Sequence, residues 1–251
     1  MKVACIIQAR VGSSRLPGKV IREILGKEML LHEVERVLNS RRTDVMVIAT
    51  TSNKADDSVE KLVWLYNNPK VLLYRGSEDD VLDRYYNAAK KADCEVIVRV
   101  TGDCPLIDWE VIDAAIDEFL SGRYDYVSNV LPKRTYPRGL DVEVFGFKTL
   151  EWMWKNCEKQ YEREHVTAYI RENPKRFKIK NITSSKDLSS LRWTVDEERD
   201  FMFVTAIYQE LYPFKKSFKT VDILALLKKR PELSKINSEV EQKKNLNNEA
   251  N

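Results

Sequence analysis

The first half of the chain alternates short apolar runs with amphipathic stretches, and few folds accept that alternation. Val3–Ile7 is an unbroken apolar run that ends in a polar, glycine-containing loop. Such a run reads as a strand covered on both faces, because a strand with one wet face would alternate. A helix is expected over Leu30–Leu38, with Leu30, Leu31, Val34, Val37 and Leu38 on its apolar face. Strands follow at Val45–Ala49, Val71–Tyr74 and Glu95–Val100, and helices at Ala55–Tyr66, Asp79–Lys91 and Asp108–Leu120. Repeated β-α units of this kind give a three-layer α/β fold, a mostly parallel sheet with helices on both faces.

After Gly122 the regularity weakens. Strands are expected at Tyr124–Ser128, Leu140–Phe145, Phe177–Ile182 and Leu191–Val195, and helices at Thr149–Asn156, Arg163–Glu172, Glu197–Leu211 and Ile223–Lys229. Residues 231–251 are polar and read as a flexible tail. No repeat or linker divides the rest, so residues 1–230 are expected to form one body, within the size range of a single α/β domain.

Composition excludes several classes. Lys plus Arg is 42 against 39 Asp plus Glu, a balance that argues against a dedicated nucleic-acid binder. Cys5, Cys94, Cys104 and Cys157 are scattered, without a CxxC pair, which speaks against a zinc ribbon and for buried thiols in a reducing compartment. The apolar run in MKVACIIQAR is too short for a signal core, and no later segment is long enough to span a membrane. A cytoplasmic location is the expectation.

Ligands of open α/β sheets bind beyond the carboxyl ends of the strands. The first such loop, Gln8-Ala9-Arg10-Val11-Gly12-Ser13-Ser14-Arg15-Leu16-Pro17-Gly18-Lys19, carries three cations, two glycines and two serines. Glycines let backbone N–H groups approach a phosphate. Arg10 and Arg15 offer forked donors and Lys19 a point charge. The loop is not a Walker A motif: five residues separate Gly12 from Gly18, and Val20 follows the lysine. A solvated turn is the plain alternative.

Asp103 stands where the strand Glu95–Val100 gives way to Thr101-Gly102-Asp103-Cys104-Pro105. Asp196 ends the apolar stretch Leu191–Val195. Magnesium favours one or two carboxylates completed by substrate phosphates and water, so these two aspartates are a candidate pair. Either is also a candidate helix cap, and for Asp108 capping is the preferred reading.

The segments QARVGSSRLPGKV, RVTGDCPLID, YPRGLDVEVF, REHVT and RWTVDEERD, in that order, closely resemble the cytidylyltransferase family. That family includes the activating synthetases for 3-deoxy-manno-octulosonate and sialic-type acids, and the spore coat polysaccharide biosynthesis protein F branch is the most similar. The resemblance implies a nucleotide-diphosphosugar-transferase-like sheet with a small dimerisation extension, within about 130–185, and a homodimer. It also implies transfer of CMP from CTP to a sugar, an acidic keto sugar by analogy, with magnesium as cofactor and pyrophosphate released, for surface or spore-coat polysaccharide. Lys19, Arg15 and Asp103 take the catalytic positions, and Asp103 with Asp196 the metal positions. Gln8, Ala9, Arg10, Gly12, Ser13, Arg15 and Lys19 match the triphosphate loop. Thr50, Thr51, Arg75, Gly76, Ser77 and Asp79 match the base and ribose side. Arg99, Arg138, Asp141, Glu143 and His165 fall on the sugar side.

Bland readings stand beside these. Glu143 alternates with Val142 and Val144, as on a solvated strand face. His165 is as compatible with a structural role as with a ligand, and His32 on its leucine-rich helix reads as structural. Trp152, Trp154, Tyr208 and Tyr212 read as core or dimer contacts. A glycosyltransferase using a nucleotide sugar, a non-catalytic nucleotide-sugar binder, and a uridylyl- or guanylyltransferase remain rivals. The glycosyltransferase is disfavoured because no second aspartate stands at 101 or 105.

Overall fold

A computed structural model of the protein describes residues 1–241. Its frame is a seven-stranded sheet in the order β5-β4-β1-β6-β8-β7-β9. These strands are β1 (Val3–Gln8), β4 (Val45–Thr51), β5 (Val71–Gly76), β6 (Val96–Thr101), β7 (Tyr126–Ser128), β8 (Glu143–Gly146) and β9 (Ile179–Asn181). The order has a direct physical source. β1, β4 and β6 are mostly apolar and mostly buried, with their polar residues at the carboxyl ends and at Arg99, so they occupy the centre with both faces covered. Only β8 runs against its neighbours. A two-residue hairpin, β2 (Glu23–Ile24) with β3 (Lys27–Glu28), stands apart.

Helices cover the two faces. One core gathers residues of α1 (Met29–Leu38), α2 (Asp57–Tyr66), α4 (Trp109–Leu120), α8 (Glu198–Leu211) and α9 (Thr220–Lys229). The other gathers residues of α3 (Val81–Ala92), α5 (Phe147–Asn156) and α7 (Ala168–Glu172), and α6 (Gln160–His165) lies against α3. The four cysteines are buried and free. Asp108 caps α4, its Oδ1 accepting from Glu110 N at 3.0 Å, and its Oδ2 accepts from Thr220 N at 2.8 Å. Trp154 stacks on Tyr86 at 4.2 Å between ring centres, and Tyr208 lies against His32 at 4.3 Å.

Three expected elements differ. Leu191–Val195 is no strand; it touches the chain near Arg138 through one isolated bridge, Arg138 to Arg192. The strand at Leu140–Phe145 shortens to β8 because the Asn129 side chain takes up Leu140 O (2.6 Å) and Val142 N (2.9 Å) in place of a ladder. The helix at Arg163–Glu172 is split in two by Val166, whose φ is 55°. Within residues 130–185, β8 lies in the sheet between β6 and β7. Of the expected tail, Leu233 and Asn237 are buried, and residues 242–251 lie outside the described residues. Among the described residues no helix is long and apolar enough to cross a membrane.

Candidate active site

Strand order reverses beside β1: the chain moves outward to β4 and β5, then returns to place β6 on the other side. Such a switch point opens a crevice at the strand ends. Gln8 and Thr101, which finish β1 and β6, are register partners there. Gly102 lets the two exits touch. Its N–H donates to Gln8 O at 2.8 Å, and a Cβ at this position would meet Ala9 Cβ at 2.9 Å.

The cationic loop is pinned at its start. Val11 N donates to Asp56 Oδ1 at 2.7 Å, while Val11 O accepts from Ser13 N (2.8 Å) and Gly18 N (2.9 Å). Gly18 has φ 72°, a left-handed turn suited to glycine, and Leu16 is buried in the core. Among the described residues the amides of Gly12, Ser14 and Arg15 donate to no protein acceptor. Free amides on a glycine loop are suited to an anion.

The loop carries Lys19 into the crevice, where two distant aspartates meet it. Its ammonium lies 3.0 Å from Asp196 Oδ1, 3.5 Å from Asp103 Oδ2 and 2.6 Å from Val195 O. Burial alone draws the Lys19 pKa down, but Asp103 and Asp196 together reverse this and hold it above the ordinary value. Burial would likewise raise Asp196, yet Lys19, Arg15 and Arg192 keep it below the ordinary carboxylate range. Arg15 Nη2 stands 2.9 Å from Asp196 Oδ2 and Arg192 Nη2 3.1 Å from the same oxygen. Asp196 therefore does not cap α8; Glu197 and Asp200 form that capping box.

Behind this cluster lie two acids that sequence reasoning missed. Asp200 is fully buried and accepts from Arg192 Nε (2.9 Å), Asp196 N (3.0 Å) and Asn237 Nδ2 (2.9 Å). Glu33 on α1 is fully buried, with Oε2 accepting from Cys104 N at 3.2 Å and Oε1 unpartnered. Burial first, and then Asp103, hold its pKa well above the ordinary value. The capping-box spacing Glu197-x-x-Asp200 was a usable signal for Asp200; nothing in the sequence points to Glu33.

A cavity of about 300 Å³ adjoins the phosphate-side crevice, and Gln8, Ala9 and Arg10 line both. Arg99 and His165 reach this cavity. Arg99 pairs with Glu143 across β6 and β8 and donates to Gln8 Oε1 at 3.2 Å. Glu143 does not sit on a solvated face. It is buried and also accepts from Tyr126 OH (2.7 Å) and Thr167 Oγ1. Although burial would raise its pKa, Arg99 and the other donors hold it below the usual range. Burial lowers the His165 pKa, and Tyr161 stacks edge-on against the ring at 4.7 Å. Arg10 pairs with Glu78 at 2.8 Å.

Other expected residues lie deeper or elsewhere. Thr50 and Thr51 are fully buried at the end of β4, and Thr51 Oγ1 donates to Asp56. Arg75 is held by Asp57 (2.7 Å), Thr51 O (2.9 Å) and Asn53 O (2.8 Å), and lines neither cavity. Ser77 turns its hydroxyl to Asp80 N, and Asp79 reaches the cavity rim. Asp141 is gripped by Arg134 at 2.5 and 2.9 Å. Arg138 has no carboxylate within 4 Å among the described residues. Burial and its neighbours Arg134 and Arg192 lower its pKa. Gly139, at φ 97°, allows this segment to cross residues 193–194, where a Cβ would lie 2.5 Å from Thr194 N.

The donor set fits magnesium. Asp103 and Asp196 offer two hard oxygen ligands, and the Lys19 ammonium between them shows that these oxygens already hold a cation. Among the described residues no cluster of three or more His, Cys, Asp or Glu side chains forms a full protein cage.

The cytidylyltransferase family profile matches residues 4–249. Spore coat polysaccharide biosynthesis protein SpsF of Bacillus subtilis is 32% identical over 237 residues, covering 90% of this chain and 94% of that one. A solved cytidylyltransferase of Leptospira borgpetersenii superposes with a TM-score of 0.87 at 36% identity, over 93% of this chain and 96% of that one. A CMP:2-keto-3-deoxy-manno-octonic acid synthetase solved with CTP shares the fold, with a TM-score of 0.65 at 20% identity over 84% of this chain and 100% of that one. With its cationic loop and paired aspartates in one crevice, the chain belongs to the cytidylyltransferase family.

Proposed function

We propose that this protein transfers CMP from CTP to a hydroxyl of an acidic sugar, with magnesium and with release of pyrophosphate. The convergence of Lys19, Asp103 and Asp196 within 3.5 Å carries the reading. Phosphoryl transfer needs alignment and charge neutralisation more than covalent help. The free amides of Gly12, Ser14 and Arg15, with Ser13 beside them, receive the triphosphate. Lys19 and Arg15 neutralise the charge that grows on departing pyrophosphate. Asp103 and Asp196 would hold magnesium, which when bound would supply charge neutralisation for the phosphates. Arg138, a cation without a carboxylate partner among the described residues, supports an acidic acceptor. The relative named for spore coat polysaccharide supports a product destined for surface polysaccharide. The resemblance also supports a cytoplasmic homodimer.

The test is Asp103→Asn, assayed for pyrophosphate release with CTP, magnesium and a panel of keto sugar acids. Wild-type protein should release pyrophosphate with at least one sugar acid, and the folded variant should lose at least 10²-fold, the scale of one lost charge-stabilising group. Undiminished turnover removes Asp103 from the metal role. A wild type that is active only with UTP or GTP overturns the choice of nucleotide.

A further inference from the structure

Arg84, on the first turn of α3, is almost fully buried, and it lines the 300 Å³ cavity. Its Nη1 donates to Ser77 O at 2.5 Å, which fixes the guanidinium plane. The other edge of the fork, Nε and Nη2, has no partner among the described residues, and Nε is buried. An orphaned buried donor is costly, and an arginine fork is suited to two adjacent acceptors in one plane. Gly76 makes room for this placement, since a Cβ there would come within 3.3 Å of Arg84 Cγ.

The missing partner is a pair of acceptors rather than a counter-charge. Asp56 and Glu78 are close enough to act on the Arg84 charge but lie beyond ion-pair distance. Arg10 and Arg99 also line the cavity but are already paired, with Glu78 and Glu143, whereas Asp79 and Glu164 on the same lining have no ion-pair partner among the described residues, so an anionic group entering it meets two uncompensated carboxylates. A neutral, planar, hydrogen-bonding ring meets no such repulsion. The cavity is also continuous, through Gln8, Ala9 and Arg10, with the cradle assigned to the triphosphate.

We infer that Arg84 reads the nucleobase, donating through its free edge to the adjacent O2 and N3 acceptors of cytosine. Uracil presents an N–H at N3 and so loses one of the two bonds. This inference rests on the proposed use of CTP and adds to it the residue that selects the base. Sites built to hydrogen-bond a group discriminate strongly against analogues that lack it.

The experiment is calorimetric titration of the full chain with magnesium and no sugar, using CTP, UTP, GTP, ATP and inorganic tripolyphosphate. Wild type should bind CTP at least about tenfold more tightly than UTP. Arg84→Met should bring the two affinities to within about threefold and leave tripolyphosphate binding unchanged. Arg84→Lys, which keeps the charge and loses the fork, should do the same, and it carries the test if the methionine variant does not fold. Retention of the wild-type ratio in a folded variant overturns the role of Arg84 alone. Equal weakening of tripolyphosphate makes Arg84 a phosphate residue and also overturns it. Wild type that binds ATP or GTP in place of CTP overturns the proposed function itself.

Discussion

The Lys19 ammonium stands 3.0 Å from Asp196 Oδ1 and, on its other side, 3.5 Å from Asp103 Oδ2. A residue from the first loop thus separates two carboxylates that would otherwise repel each other. Lys19→Met leaves that pair without its resident cation. We expect the variant to bind free Mn²⁺, without nucleotide, about tenfold more tightly than wild type by paramagnetic resonance. Its turnover should fall by about 10²-fold. Unchanged Mn²⁺ affinity would show that Lys19 does not occupy the metal position.

Asp200 holds Asp196 from behind, through Arg192 and through the Asp196 amide. Asp200→Asn leaves the buried Arg192 without its fully buried partner. Arg192 keeps Asp196 as a counter-charge, so the lost charged hydrogen bonds cost about 1.5–3 kcal/mol, measurable by urea denaturation. Asn237→Ala removes a weaker latch on the same carboxylate and should cost about 1 kcal/mol. A near-neutral Asp200→Asn variant contradicts this account.

Glu33 provides a pH signature. Its folded-state pKa is raised by burial and by Asp103, so the fold keeps the proton that the unfolded chain loses near 4.5. The stability tied to that proton is complete below the unfolded pKa and declines as pH rises toward the folded value. Glu33→Gln mimics the protonated form. It should gain stability over wild type at pH 8 relative to pH 5, seen as a larger difference in urea midpoint. Equal differences at the two pH values would mean that Glu33 is ionised in the fold.

Glu143 shows the opposite sign. Arg99, Thr167 and Tyr126 hold its pKa below the ordinary 4.5, despite burial. Its contribution is present above that value and is lost as pH falls through the folded pKa. Glu143→Gln should destabilise the protein by about 3 kcal/mol at pH 7 and flatten the acid side of its stability profile. A variant with an unaltered acid limb would place the titration elsewhere.

What was legible in the sequence follows from range. The strands around β1 are legible because burial on both faces leaves continuous apolar runs, and no other reading accommodates Val3–Ile7 or Val45–Ala49. The loop, Asp103 and Asp196 are legible because each follows an apolar stretch, although the last of these is not a strand. Asp56, Glu33 and Arg84 were missed for a shared reason. Asp56 acts on Val11, 45 positions away, and Glu33 on Cys104, 71 away, so no local spacing carries the relationship. Glu143 was ambiguous because alternation with Val142 and Val144 describes a wet face and a buried ion pair equally well. Arg75 was placed on the base and ribose side by family resemblance alone, and in the fold Asp57 and Glu60 of α2 hold its guanidinium.

The hydrogen-bonded contact of β1 with β6 gives the crevice one stiff wall, since the cationic loop and Asp103 issue from neighbouring central strands. Val195 and Asp196, which meet Lys19 there, come instead from irregular chain, just after the crossing of residues 138–140 over 192–194. Insertions and exchanges can therefore accumulate on the irregular side while the ladder stays intact. One rigid half can thus be kept while its partner half diverges.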